Sequence, residues 1–528
     1  MKNGKQQKGS VSAGIKAGLG PQEPGVKTGR HASLPTYGVT ALFAMLAAAA
    51  TLRTLRVETM AGAFFITYLL MVVFYRDIVR YKPKYLASAK KLVLLGILLS
   101  GTLLTARLWE FVLLGMSRGM GIPSGSIMYA LPVAAGAMMA MLLFDSHTAI
   151  MFSFIVSILA GMSLRESPFA VYAFMGSLTA AFSVIRCRKR TEVLRGGAYL
   201  AAVNIITALF IMLFEGRISP ERTVYAILFA SMSAVSVIAI VSVVLPMLEY
   251  LFGIMTDISL LELLDLEHPL MKTMMIAAPG TYHHSIIVGN LVEAAAEDVA
   301  VNPLLARVSA YYHDIGKIKM PDYFIENQGG GASRHERLTP HMSSMVLISH
   351  VKEGVDLAKQ YKLPETVTDI IEQHHGTSLI TYFYQKAREK NEDLTEDEYR
   401  YPGPRPQSKV AALVMMADAV EAASRVLADP IPARISGLVN KIINHIFLEG
   451  QLDNCDLTLK EIQAIKKRFI YILTGILHKR VDYPGFDFTK EGAGAGTDIQ
   501  PAKTDTLRYP PDKEGQPQPA SSLRAYRN

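Results

Sequence analysis

The sequence predicts an all-α protein in two parts: a polytopic transmembrane helical region, then a soluble all-helical domain. Three observations carry this. Half of the 528 residues are hydrophobic, and the apolar ones crowd into residues 35–256. From Thr256 onward, apolar residues recur at three- and four-residue spacing, the period of an amphipathic helix. No run in that second part alternates as a strand would.

The elements follow in order. Residues 1–34 are basic, rich in Gly, Lys and Gln, and hold no long apolar stretch, so a disordered tail is expected rather than a cleaved signal peptide. Eight spans are expected over residues 35–256: Pro35–Leu52, Met60–Tyr75, Leu92–Met116, Ile127–Phe144, Ala149–Leu164, Pro168–Ile185, Gly196–Phe214 and Val224–Met255. Arg107 and Glu110 interrupt the third; three residues apart, they can pair on one face or sit at the outer interface. Segment 76–91 holds six Lys or Arg and segment 186–195 five. With the basic tail these make three clusters. Two crossings separate the tail from the first loop and four separate the loops, so all three face the cytoplasm and the last span delivers the soluble domain there. Loop 53–59 carries two arginines on the outside, against the trend. The expected location is the inner (plasma) membrane, multi-pass. No chain of intramembrane carboxylates suggests a transporter.

The net charge of +8 orients the membrane part and does not imply a DNA or RNA polymer as partner. Two distant cysteines, Cys187 and Cys455, exclude a disulfide framework and suit a reducing compartment. The soluble domain is expected over 257–481. Gly316 and Gly376 read as C-cap glycines at helix ends. Residues 482–528, rich in Pro, Gly, Asp and Lys, read as a second disordered tail.

Nine of the 13 histidines fall between His268 and His375. His284 opens a helix, His313-Asp314 close the next, His350 lies within another, and His374-His375 close a fourth. Asp418 sits in an otherwise apolar helix, MMADAVEA, where a buried carboxylate costs several kcal/mol unless paired or metal-bound. Any one of these is more often an ordinary core or surface group. Five imidazoles and two carboxylates on five helices suggest a site for divalent ions, which take mixed nitrogen and oxygen ligands.

The strings APGTYHHS, AYYHDIGK, YFIENQ, ISHVKEGVDLA, EQHHGTSLITYFY, YPGPRPQ and ADAVEAASR resemble the seven-transmembrane HD family, HDIG-type phosphohydrolases whose branch here cleaves cyclic di-AMP. The resemblance covers about residues 270–430. The competing HD-GYP branch, which cleaves cyclic di-GMP, has a glutamate after the paired histidines and a GYP triplet; HHGTSLITYF has neither. The family's large extracytoplasmic domain between the first span and the following bundle is missing, since only RTLRVET separates the first two spans.

The resemblance implies a binuclear centre of iron or manganese. His284, His313, Asp314 and Asp418 would hold one ion, and Asp314, His350, His374 and His375 the other, with Asp314 shared. A bridging hydroxide would attack phosphorus and open cyclic di-AMP to linear pApA. Lys317, a turn after Asp314, is expected to contact phosphate as a catalytic and binding residue. Glu421 and Arg425 share a face with Asp418, either orienting ligands or meeting phosphate, or forming a plain ion pair. Tyr382 and Tyr384 are candidates to stack on adenine, though stacking tolerates any base. His335 and His341 flank a glycine-rich stretch near the site and read as structural. Partners are then cyclic di-AMP and the bilayer; a homodimer is compatible with the sequence, which is silent on oligomeric state. Two alternatives stand beside this: a receptor that binds a cyclic dinucleotide without cleaving it, and a hydrolase of another nucleotide.

Overall fold

The computed structural model describes residues 34–52, 56–81, 89–120, 122–329, 333–389 and 395–477. Both expected tails, apart from Leu34, lie outside these residues, as do parts of loops 53–59 and 76–91 and of the glycine-rich stretch. Among the described residues there is no β-strand, only one isolated antiparallel bridge between Leu379 and Arg400. The protein is all-α.

Among the described residues eight α-helices occupy the membrane part: α1 (Leu34–Thr51), α2 (Val57–Tyr81), α3 (Ala89–Met120), α4 (Ala134–Leu143), α5 (Ser146–Leu164), α6 (Ser167–Ser183), α7 (Glu192–Phe214) and α8 (Pro220–Phe252). Among the described residues six stretches are long and apolar enough to cross a membrane; Tyr37–Thr51 is apolar but shorter, and α6 has 17 residues. Phe65, Leu104, Phe111, Phe210 and Val243 are each more than half exposed, a surface suited to lipid rather than water. Arg107 and Glu110 do pair, at 2.5 Å, and Glu110 is buried.

The span expected over Ile127–Phe144 is among these six, as Gly125–Leu143, but it is not one continuous helix. A 3-10 segment, Ser124–Ala130, precedes α4, and Leu131 between them is extended, with φ −73° and ψ 128°. Pro132 is the cause: its ring disfavours helical backbone at the preceding residue and it donates no amide hydrogen bond. α8 ends at Gly253, whose φ of +62° is a left-handed cap.

Among the described residues ten α-helices build the second part: α9 (Asp257–Leu263), α10 (Pro269–Ala277), α11 (Pro279–Ala296), α12 (Pro303–Tyr312), α13 (Pro340–Gln360), α14 (Glu365–Gln373), α15 (Thr381–Arg388), α16 (Lys409–Ser424), α17 (Pro432–Leu448) and α18 (Leu459–Ile476). The two larger apolar cores of this part, among the described residues, are these. Leu291, Val292, Met416, Val439 and Phe469 join α11, α16, α17 and α18. Leu260, Met271, Tyr312, Ile315 and Ile371 join α9, α10, α12 and α14. Gly376 caps as expected, with φ +52°. Gly316 does not: it lies in a 3-10 turn, Ile315–Lys319, and is needed for a different reason. A Cβ there would stand 1.8 Å from the carbonyl oxygen of His350 and 2.5 Å from the amide of Gly354. The glycine lets the turn carrying Asp314 lie against the backbone of α13.

Candidate metal centre

Each candidate ligand is set by where its helix ends. α12 stops at Tyr312; His313 keeps helical dihedrals, and Asp314 leaves them, at φ −108° and ψ 15°. That break lets two neighbouring side chains, normally about 100° apart on a helix, face one point. His374 and His375 likewise follow the end of α14. His284 projects from α11, His350 from α13 and Asp418 from α16.

The fold brings all seven together in two groups of four that share Asp314. Asp314 Oδ2 faces His313 Nε2 at 3.2 Å and His284 Nε2 at 3.7 Å; Asp418 Oδ1 lies 3.0 Å from His284 Nε2. Asp314 Oδ1 faces the other way, 3.4 Å from His350 Nε2 and 3.6 Å from His374 Nε2. His375 enters through Nδ1, 3.7 Å from Asp418 Oδ2. Adjacent ligands about 2.1 Å from a common octahedral ion stand about 3 Å apart, so these separations are near the right scale.

Four of the five imidazoles are oriented through Nδ1. His313 Nδ1 meets the carbonyl of Ala310 at 2.7 Å, His350 Nδ1 that of Leu347 at 2.5 Å, and His374 Nδ1 that of Ile371 at 2.7 Å. A carbonyl can only accept, so the proton sits on Nδ1 and the Nε2 lone pair faces the centre. His284 does the same through a carboxylate: Nδ1 donates to Glu421 Oε2 at 2.5 Å, and Glu421 is fixed in turn by Arg425. Glu421 and Arg425 thus stand behind His284.

Asp314 and His313 are fully buried, and His313 Nε2 and both Asp314 oxygens lack a hydrogen bond of good geometry. Lys317 Nζ stands 2.7 Å from Asp314 Oδ2 but is not aligned as a donor to it; it donates to Glu326 Oε1 at 2.9 Å. Orphaned buried groups of this kind are costly, and inward-facing nitrogen and oxygen lone pairs are what a divalent cation takes. The donor set fits such an ion.

The electrostatics agree. Burial opposes protonation of His313, but the charge of Asp314 and contacts to Asp314 and Asp418 outweigh it and raise its pKa to about 10. Burial would raise the Asp314 carboxyl, yet His313 and Lys317 hold it well below the carboxylate range. Asp418 is likewise held well below, burial being outweighed by His284 and His313. His375 is pushed well below its ordinary value, by burial first and then by His374. Without a cation, protonation of His313 and His284 is favoured beside the two carboxylates.

Of the other candidates, Arg425 is about one third exposed and paired with Glu421. Tyr382 is exposed on α15, its ring meeting Phe383 and the Lys386 ammonium; Tyr384 meets Tyr399. His335 bonds the Tyr323 carbonyl, and His341 stands 3.9 Å from Glu398. Three further residues, which sequence reasoning does not single out, stand at or beside the centre. Tyr401 stacks on His375, with ring centroids 4.2 Å apart and planes 22° apart. Glu326 binds both Lys317 and Thr281, while Asn327 Oδ1 accepts from the Gly280 and Thr281 amides at the start of α11. YFIENQ and YPGPRPQ lie in irregular segments, where no periodicity marks an inward-facing position.

With that geometry in hand, comparisons place the two parts. Residues 57–256 match the family described as "7TM receptor with intracellular HD hydrolase", and residues 281–423 match the HD domain. The cyclic-di-AMP phosphodiesterase PgpH of Bacillus subtilis is 40% identical over 367 residues, 68% of this chain and 52% of the relative. Its namesake in Listeria monocytogenes is 36% identical over 363 residues, 68% of this chain and 51% of the relative. A crystal structure of the L. monocytogenes PgpH HD domain in complex with cyclic di-AMP is 47% identical and covers 41% of this chain and all of that one, with a TM-score of 0.39. The chain spans about half the length of the curated relatives it matches.

Proposed function

The chain belongs to the family of seven-transmembrane proteins with an intracellular HD hydrolase, and on that premise we propose that it is a membrane-anchored, metal-dependent phosphodiesterase that opens cyclic di-AMP to linear pApA. One observation carries the reading: the two oxygens of one buried carboxylate, that of Asp314, face two separate sets of imidazoles. The two relatives named as cyclic-di-AMP phosphodiesterases supply the substrate.

His284, His313, Asp314 and Asp418 would hold one ion and Asp314, His350, His374 and His375 a second, with the imidazole-rich set favouring iron and the carboxylates tolerating manganese. Such a pair of ions supplies Lewis acidity to a phosphoryl oxygen and lowers the pKa of a coordinated water. The residues of the chain do the rest. Asp314 and Asp418 set the negative charge of the cradle. The Ala310, Leu347 and Ile371 carbonyls and the Glu421 carboxylate fix the ring faces, so no reorganisation is needed at reaction. Lys317, held between Asp314 and Glu326, is assigned to a phosphoryl oxygen of the substrate. Arg425 and exposed Tyr382 are assigned to the second phosphate and an adenine. Water adds across one P–O3′ bond: its oxygen joins phosphorus and a proton goes to the departing 3′ oxygen.

The basic segments 76–91 and 186–195 put the HD domain on the cytoplasmic side of the plasma membrane. We assign 35–256 to the membrane region and 257–481 to the HD domain. The test is hydrolysis by the purified chain with manganese or anaerobic ferrous iron, offered cyclic di-AMP and cyclic di-GMP in parallel. Release of pApA from cyclic di-AMP, absent in Asp314→Ala, supports the assignment. Tight nucleotide binding without turnover in the parent chain would convert it to a receptor.

A further inference from the structure

Loop 184–191 between α6 and α7 leaves the membrane bundle and reaches the HD domain. Arg190 forks onto Glu262 of α9, with Nε to Oε1 at 2.8 Å and Nη2 to Oε2 at 3.0 Å. The same Nη2 lies 3.3 Å from Glu249 Oε2, near the end of α8. The other oxygen of Glu249 accepts from Thr256 Oγ1 at 2.6 Å, and that hydroxyl also caps α9 by accepting from the Ser259 amide. So one guanidinium ties two membrane helices and their loop to a seven-residue helix.

α9 also contacts the end of α12, next to the centre. The carbonyl of Leu263, next to Glu262, accepts from the Tyr312 hydroxyl at 2.8 Å. Tyr312 is fully buried, its ring edge-on to His268, and it is the last residue of α12. The next two residues are His313 and Asp314. Leu260 of α9 packs in the same core as Tyr312 and Ile315. Any shift of α9 is therefore delivered to the point where α12 breaks.

We propose that Arg190 is a positioning residue for the metal centre, acting through Glu262, the Leu263 carbonyl and the Tyr312 hydroxyl, so that the membrane bundle sets the placement of His313 and Asp314. It touches no reacting atom. Its contacts suit a tunable role. Glu262 is about half exposed and Arg190 more than a third, so their link adds little to overall stability. A partly exposed, bidentate pair worth about 1 kcal/mol shifts a two-state equilibrium about fivefold. Breaking it should change the centre more than the melting temperature.

This rests on the phosphodiesterase reading, but its test need not. The full chain is purified in lipid nanodiscs as parent, Arg190→Ala, Tyr312→Phe, the double variant of these two, and Arg190→Lys. Manganese affinity is measured by competition with a chelator, and turnover of cyclic di-AMP and cyclic di-GMP in parallel. Arg190→Ala and Tyr312→Phe are each expected to weaken manganese binding and lower kcat about fivefold, with KM and melting temperature little changed. Because the two residues act in series, the double variant should be no worse than either single one. Arg190→Lys, which keeps a cation between Glu262 and Glu249, should lie between the parent and Arg190→Ala. Additive losses, or a lysine variant no better than Arg190→Ala, would overturn the proposal. If the parent turns over neither nucleotide, the functional reading fails while the manganese titrations still decide this one.

Discussion

Replacing Glu421 with glutamine changes one charge and no side-chain length. In the native chain its Oε2 takes the Nδ1 proton of His284 at 2.5 Å, and its Oε1 takes Arg425 Nε at 2.8 Å. The carboxylate thereby turns Nε2 of His284 toward Asp314 and Asp418 and makes it a better donor. Losing such a partner typically costs 10- to 100-fold in metal affinity, about 1.4–2.7 kcal/mol. Arg425 is about one third exposed, so water replaces its lost partner and the fold should survive. Only one of the two ligand groups contains His284. A two-step manganese titration, read by competition with a chromogenic chelator at pH 7, should therefore show one step weakened and the other unmoved. The acid limb of stability should change too. Burial raises the Glu421 carboxyl, but His284 and Arg425 outweigh it and hold it below its ordinary 4.5. A depressed carboxyl stabilises above the unfolded value and loses that stabilisation as pH falls through the folded one. The deficit of the glutamine variant relative to the parent should be full above about pH 4.5 and shrink as pH falls below it. Unchanged affinity in both steps, with an intact fold, would refute the idea that Glu421 tunes His284.

Other outcomes follow from the same geometry. Adding manganese to metal-free protein at pH 7 should release on the order of one proton, because His313, raised to about 10 by the neighbouring carboxylates, must lose its proton to bind; calorimetry in buffers of different ionisation enthalpy reads this, and no buffer dependence would contradict it. Gly316→Ala should lower stability by roughly 2 kcal/mol or more, since the new Cβ meets the backbone of α13, and thermal unfolding measures it. Tyr401→Ala should reduce turnover several-fold by freeing the His375 ring, whereas Tyr401→Phe, which keeps the stacked face, should stay near parent activity.

Much of the centre was legible because its chemistry is concentrated. Nine histidines in about a hundred residues, three of them at helix ends shortly before a glycine, and an aspartate in an apolar helix are visible without coordinates. The reason for the adjacency of His313 and Asp314 was not. It depends on the backbone leaving the helix at Asp314, and on Gly316 meeting the His350 carbonyl, a contact across 34 residues. Glu326 and Tyr401 reach the site from irregular segments, where sequence spacing carries no direction. The broken span before α4 was legible in principle, since Pro132 stands in the middle of the apolar run, but hydropathy alone reads straight through it. The role of Arg190 was hidden inside a basic loop whose charges already had an explanation in membrane topology.

The central claim is that one buried carboxylate serves two ions. Electron paramagnetic resonance of the manganese-loaded chain, with metal content measured on the same sample, tests it most directly. The account predicts two ions per chain, magnetically coupled, with the coupling abolished in Asp314→Asn. One ion per chain, or two uncoupled ions whose spectrum is the same in parent and variant, would contradict it.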